Sequence, residues 1–247
     1  MGGRGQGSMS GGKSQVIEIG SGEVSVGDIG IMDATPDSRR DIQEMFVGQT
    51  GFGGILGTDK MDTAVLGAYG IQLNNLERRY GAIGGSENVK VGMVEGADFV
   101  AAVSFNPKNP SQQTLIFNHS DMGKISSAVR QQRESEKSGW SMPTNGSIKS
   151  LARYTVTHEY GHLLHNQLYA KAVKGGYKGT RNEFVGTVMT NIAKDAMIKY
   201  GGMTKDLSGY SKTNSRELFA ETFANANLGK PNAMGKAMND WLKKQGF

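Results

Sequence analysis

The 247-residue chain contains no cysteine. That absence removes a disulfide framework, a thiolate metal site and a cysteine nucleophile together, so any metal must be held by His, Asp or Glu. Long apolar runs are also missing. None approaches the roughly 20 residues that a membrane span needs, and the start, MGGRGQGSMSGGKS, lacks the apolar centre of a secretory signal. With Gln6 in place it also misses the myristoylation pattern. The expectation is a chain made in the cytoplasm, with no signal peptide and no membrane span. Charge of one sign is not extreme either: the formal net charge of +5 favours an acidic partner, but no nucleic-acid-binding motif accompanies it.

Glycine is plentiful and unevenly spread, with fifteen of the 36 residues falling within positions 1–60. Few long apolar side chains accompany them, so 1–60 reads as a flexible arm carrying one short helix, TPDSRRDIQEMFVGQ. There Thr35 and Pro36 give a helix start, and Ile42, Met45 and Phe46 form one apolar face. The decapeptide GFGGILGTDK reads as a linker. GSMSGGKS, positions 7–14, matches the phosphate-loop spelling, but no buried strand precedes it and no helix follows, so the pattern carries no nucleotide site.

From 61 to 247 the pattern is that of one compact domain. A helix at MDTAVLGAYGIQLNNLERRYG is followed by strand candidates NVKVGMVE, DFVAAVSFN and TLIFNH. A polar helix, GKISSAVRQQRESEK, comes next. Further helices follow around HEYGH, at RNEFVGTVMTNIAKDAMIKYG, at SRELFAETFANANLG and at NAMGKAMNDWLKK. Strands followed by a run of helices predict an α+β fold. Between two of the helices, KAVKGGYKGTR (171–181) reads as a solvated loop, with a contact to an acidic substrate or nucleic acid as its functional alternative.

Three of the four histidines lie in YTVTHEYGHLLHN. On a helix, residues four apart are separated by about 40° around the axis, so His158 and His162 can aim ring nitrogens at one ion. Glu159 lies about 100° round from His158, beside such an ion, where a base can take a proton from water. Tyr160, Leu163, Leu164 and Leu168 form the apolar back. Gly161 disfavours the helix and so calls for close packing. His165 lies about 10 Å along the axis from His158; it suits a cleft-lining or capping role better than a place on the ion. His119 ends a strand and reads as structural or substrate-facing. A third ligand is expected from a carboxylate on a second helix, with Glu217 as the candidate and Glu221 on the same face one turn later. Asn214 and Glu217 also have the spacing of a capping box, which would explain Glu217 but not Glu221.

Taken together, HEYGH and YSKTNSRELFAETFA resemble the catalytic domain of the anthrax lethal factor family of zinc metallopeptidases. The matching positions of the second motif are Tyr210, Thr213, Asn214, Glu217, Phe219, Ala220, Glu221 and Phe223. The resemblance covers 154–225 and none of the toxin's binding domains. It implies a zincin-like fold and a zinc-dependent endopeptidase, with one Zn2+ per chain bound by His158, His162 and Glu217. Glu159 would be the base that activates water, and Tyr210 would donate to the oxyanion or the leaving amine. Glu221 would accept the outer N–H of a liganding histidine. The substrate would be a protein or peptide, extended along a sheet edge offered by DFVAAVSFN or TLIFNH. More loosely, a Gly-rich start ahead of such a domain resembles phage and prophage structural-region proteins. That alternative is a virion or assembly component whose arm binds phage structural proteins.

Overall fold

The computed structural model describes residues 55–56, 63–81, 89–94, 100–106, 109–118, 125–142, 144, 147–202 and 207–247. Most of the N-terminal arm, its short helix and His119 lie outside the described residues.

The described chain is mixed α+β. Four strands, β1 (Ile55–Leu56), β2 (Val89–Val94), β3 (Ala101–Asn106) and β4 (Asn109–Asn118), form one sheet in the order β1-β2-β4-β3. β1 and β4 run parallel to β2, and β3 runs antiparallel to β4, with Ala101 opposite Phe117 and Val103 opposite Leu115. Two expectations change here. The linker stretch contributes β1, whose two residues are too few to show a period in sequence. Residues 114–118 of TLIFNH belong to β4, which is enclosed between β2 and β3, so of the two edge candidates only DFVAAVSFN supplies an edge, through β3.

The helices are α1 (Thr63–Tyr80), α2 (Ile125–Lys137), α3 (Ile148–Lys174), α4 (Arg181–Tyr200), α5 (Ser215–Asn227) and α6 (Ala233–Lys244), with a 3-10 turn at Gly209–Lys212. None of these is long and apolar enough to cross a membrane. α3 extends four residues into the stretch read as a loop, because Lys171 and Lys174 fall in its last turn, where cations favour the negative end of the helix dipole.

The core forms where α3 meets α1, β4 and α5. α1 contributes Val65, Leu66, Tyr69, Leu73, Leu76 and Tyr80, one stripe at helical spacing, and β4 contributes Leu115 and Phe117. Tyr160, Leu163 and Leu164 of α3 are fully buried against them. Gln113 of β4 is buried as well, and its amide donates to the Leu163 carbonyl at 3.1 Å, tying the sheet to the middle of α3.

The packing reason demanded by Gly161 is the crossing of α3 and α5. A Cβ added at Gly161 would lie 2.9 Å from Ala220 Cα, a backbone atom that cannot swing aside. Gly161→Ala is therefore expected to destabilise the protein. Overpacking costs about 1–3 kcal/mol, and the gain in helix propensity returns only about 1 kcal/mol. Thermal melting should show a midpoint lowered by a few degrees, and an unchanged or raised midpoint would refute the close crossing.

Candidate metal centre

Two helices bring the site together. Ser147 caps α3, its side chain accepting from the Ser150 backbone N–H, and α3 then carries His158, Glu159, His162 and His165 inward. Asn214 caps α5, its Oδ1 accepting from the backbone N–H of Arg216 and Glu217 at 3.0 and 3.1 Å. Half of the capping box is thus present, but the Glu217 carboxylate turns to the histidines. Its Oε2 lies 3.1 Å from His158 Nε2 and 3.2 Å from His162 Nε2, and the two Nε2 atoms are 3.2 Å apart. These three side chains can hold one metal ion.

The triangle's dimensions bear on what fills it. Zinc bound to nitrogen and oxygen at 2.0–2.1 Å in tetrahedral geometry sets its ligands about 3.3–3.4 Å apart, close to the edges seen here. Protons serve the same triangle less well. A proton on His158 Nε2 satisfies its contact with Glu217 and leaves the His162 edge to Glu217 without one. A second proton, on His162 Nε2, would set two N–H groups against each other across 3.2 Å. A cation at the centre satisfies all three edges.

Groups behind the histidines orient them. His158 Nδ1 lies 2.7 Å from Glu221 Oε1. Glu221 is fully buried, and it also accepts hydrogen bonds from the Tyr154 hydroxyl on Oε1 and the Ser208 hydroxyl on Oε2. On the other side, His162 Nδ1 lies 3.0 Å from His165 Nε2. Burial, then the charges of His162, Arg181 and Arg216, hold the His165 pKa well below its usual value. A neutral His165 can accept the Nδ1 proton of His162, and in that tautomer the Nε2 lone pair of His162 faces the centre of the triangle.

Tyr210 sits on the 3-10 turn with its ring centroid 5.6 Å from that of His158. The turn is fixed by pairing with the stretch after α2: Gly209 N–H donates to the Gly139 carbonyl at 2.8 Å, and Tyr210 N–H to the Trp140 carbonyl at 3.1 Å. Trp140 also packs on the tyrosine, ring to ring at 5.5 Å. Glu159 is buried, and its charge is among those that raise the His158 pKa.

Every expected site residue, His158, Glu159, His162, Tyr210, Glu217 and Glu221, therefore lies in one neighbourhood. Sequence reasoning missed Tyr154, Ser208 and the hydrogen-bonding role of His165. Tyr154 stands four residues before His158, so helical spacing could have found it. Ser208 offers no comparable signal. Comparison with known proteins found no matching family model, no matching curated protein and no matching solved structure.

The site's electrostatics make a pH-dependent prediction. Burial alone would lower the His158 pKa, but hydrogen bonds to Glu217 and Glu221, with the charges of Glu221 and Glu159, outweigh it and hold the value at about 10. Burial likewise acts to raise Glu217, yet the neighbouring His162 and His158 outweigh it and keep its carboxyl far below the usual range. A raised histidine pKa stabilises the metal-free fold below its ordinary value of 6.5, and that contribution is lost as pH rises through about 10. A metal must displace the same proton. Near pH 8 zinc binding is expected to release about one proton per ion, read by titration calorimetry in buffers of different ionisation heat. Heats independent of buffer would contradict the assignment.

Proposed function

We propose that the protein is a zinc-dependent endopeptidase with a zincin-like fold, of the kind found in the lethal factor catalytic domain. The observation that carries the reading is the His158–His162–Glu217 triangle, edges 3.1 to 3.2 Å, with Glu159, the residue after His158, buried. Zinc held there would supply a Lewis acid that activates water and polarises the scissile carbonyl.

The chain's own residues do the rest. Glu159 takes the proton from the attacking water and can pass it to the leaving amine. Tyr210, fixed beside His158 by its backbone bond to Trp140, donates to the developing oxyanion or to the amine. Glu221 and His165 hold the two imidazoles so that neither turns during turnover. β3, at the edge of the sheet, offers backbone groups to an extended peptide, which would pair as an added strand.

An unbiased peptide library incubated with the full chain tests this directly. Cuts are expected with zinc present, none after chelation, and the same cuts when zinc is returned. A zinc-supplemented protein that cleaves nothing, or cuts that ignore the chelator, would contradict it.

A further inference from the structure

We propose that Arg181 and Arg216 form a carboxylate-binding subsite of the cleft, taking an acidic side chain or a free C-terminal carboxylate of the peptide near the scissile bond. The inference rests on the peptidase reading for its substrate, but the site itself stands on its own geometry.

Arg181 is the first residue of α4 and Arg216 the second of α5. These two helix starts meet: the Ser215 hydroxyl donates to the Asn182 carbonyl at 3.4 Å. Both cations thus sit at positive ends of helix dipoles, where an anion is favoured and a cation is not. The charge of Arg216 reaches Arg181 across this junction. Burial, then the charge of Arg216, brings the Arg181 guanidinium down to about 9. No carboxylate pairs with either arginine among the described residues. The Arg216 Nε is buried without a hydrogen-bond partner.

Such an arrangement is unfavourable in the empty protein and becomes favourable when an anion arrives. It is also rigid, which binding requires. Arg181 Nη1 donates to Asn166 Oδ1 at 2.7 Å, Asn166 donates to Gln113 Oε1 at 2.9 Å, and Gln113 is anchored to the Leu163 carbonyl. The guanidinium lies 3.6 Å over the ring of Phe105, a residue of the edge strand β3. A peptide paired along β3 would therefore run past Arg181 on its way to the metal triangle. Of the anions such a peptide carries, the carboxylate is the one that matches the planar, two-pronged donor set of guanidinium.

The test uses the full chain, with zinc added and after chelation, so that carboxylate bound to metal is separated from carboxylate bound to arginine. Succinate is expected to raise the melting temperature saturably in both states and its uncharged analogue succinamide to leave it unmoved. Arg216→Gln and Arg181→Gln should abolish the succinate response. Without succinate, Arg216→Gln should melt at the wild-type temperature or above it, because a like charge near Arg181 has been removed, which also shows that it folds. A response equal for succinate and succinamide, or undiminished in Arg216→Gln, would overturn the proposal.

Cleavage gives an independent readout. The wild type should prefer Asp or Glu near the cut, or cuts at fixed distance from a free C-terminus, by about tenfold or more. Arg216→Gln should lose that preference while still cutting neutral peptides. Blocked C-termini separate the two carboxylate sources. If no peptide is cut but the succinate response persists in the wild type and disappears in the variants, the peptidase reading fails and the anion site survives. Cutting with no acidic or terminal preference overturns the subsite and leaves the peptidase reading intact.

Discussion

Glu159→Gln is expected to lower kcat for peptide cleavage by about 10²- to 10⁴-fold, the usual contribution of a positioned general base, while zinc content remains that of the wild type. Gln has the volume of Glu and can still accept a hydrogen bond, but it cannot take a proton near neutral pH. The residue is buried one position after His158 and is not one of the three groups that form the metal triangle. Its charge contributes to the raised His158 pKa only behind the bonds from Glu217 and Glu221, so the ligand set should survive its removal. Single-turnover rates and elemental zinc should be read on the same preparation. Undiminished cleavage by a zinc-loaded Glu159→Gln variant would remove this residue from the mechanism.

The second large effect is on stability. Glu221 is fully buried, and its two oxygens accept from Tyr154 and Ser208 while one of them faces His158. Glu221→Gln keeps the shape but removes the buried negative charge that faces His158, and its NH2 group can be accommodated only if the Ser208 hydroxyl turns to accept from it. Breaking a buried charged network in this way costs about 3–5 kcal/mol, or roughly 6–20 °C of melting temperature for a chain of this size. Zinc affinity should fall about 10- to 100-fold as well, since His158 loses the group that fixes its ring. Tyr154→Phe, which removes one donor and leaves the carboxylate its other two partners, should cost only about 1 kcal/mol. A Glu221→Gln protein melting within a degree of wild type would show that the network is not what holds α3 to α5.

The two large effects fall on residues that differ in how visible they are in sequence. His158, Glu159 and His162 are legible because a helix converts sequence spacing into direction. Glu217 and Glu221 are legible for a related reason: two carboxylates on one face of an otherwise apolar helix require donors or a cation. The same rule extends to Tyr154, but an aromatic on the buried side of a helix usually packs, and its hydroxyl's partner lies 67 residues away. His165 shows a different limit. Spacing sets it apart from the His158–His162 pair, and it is not one of the three groups of the triangle, yet its bond to His162 depends on which ring nitrogen of His162 faces inward.

Sheet order was less accessible than site chemistry. The parallel pairing of β2 with β4 passes over β3, which turns back as a hairpin partner of β4. Local alternation reports that a segment is a strand, but not which strands flank it. The enclosed position of TLIFNH follows from that connection alone. Likewise Ile55 and Leu56 join the sheet through parallel pairing to Val91 and Gly92, a long-range event with no local signature. Arg181 stood in a stretch that reads as a basic loop. The predicted helix RNEFVGTVMTNIAKDAMIKYG already puts it at a helix start, but its stacking on Phe105 and its nearness to Arg216 are products of the tertiary fold.

Whether His158, His162 and Glu217 hold zinc can be read by X-ray absorption at the zinc edge. Protein reconstituted with zinc and freed of excess should retain one ion per chain, with two imidazole nitrogens and a carboxylate oxygen at about 2.0–2.2 Å, and Glu217→Ala should lose the ion on the same treatment. Zinc that is not retained by the wild type, or is retained equally after His158, His162 and Glu217 are all replaced by alanine, would show that these three residues are not a zinc site.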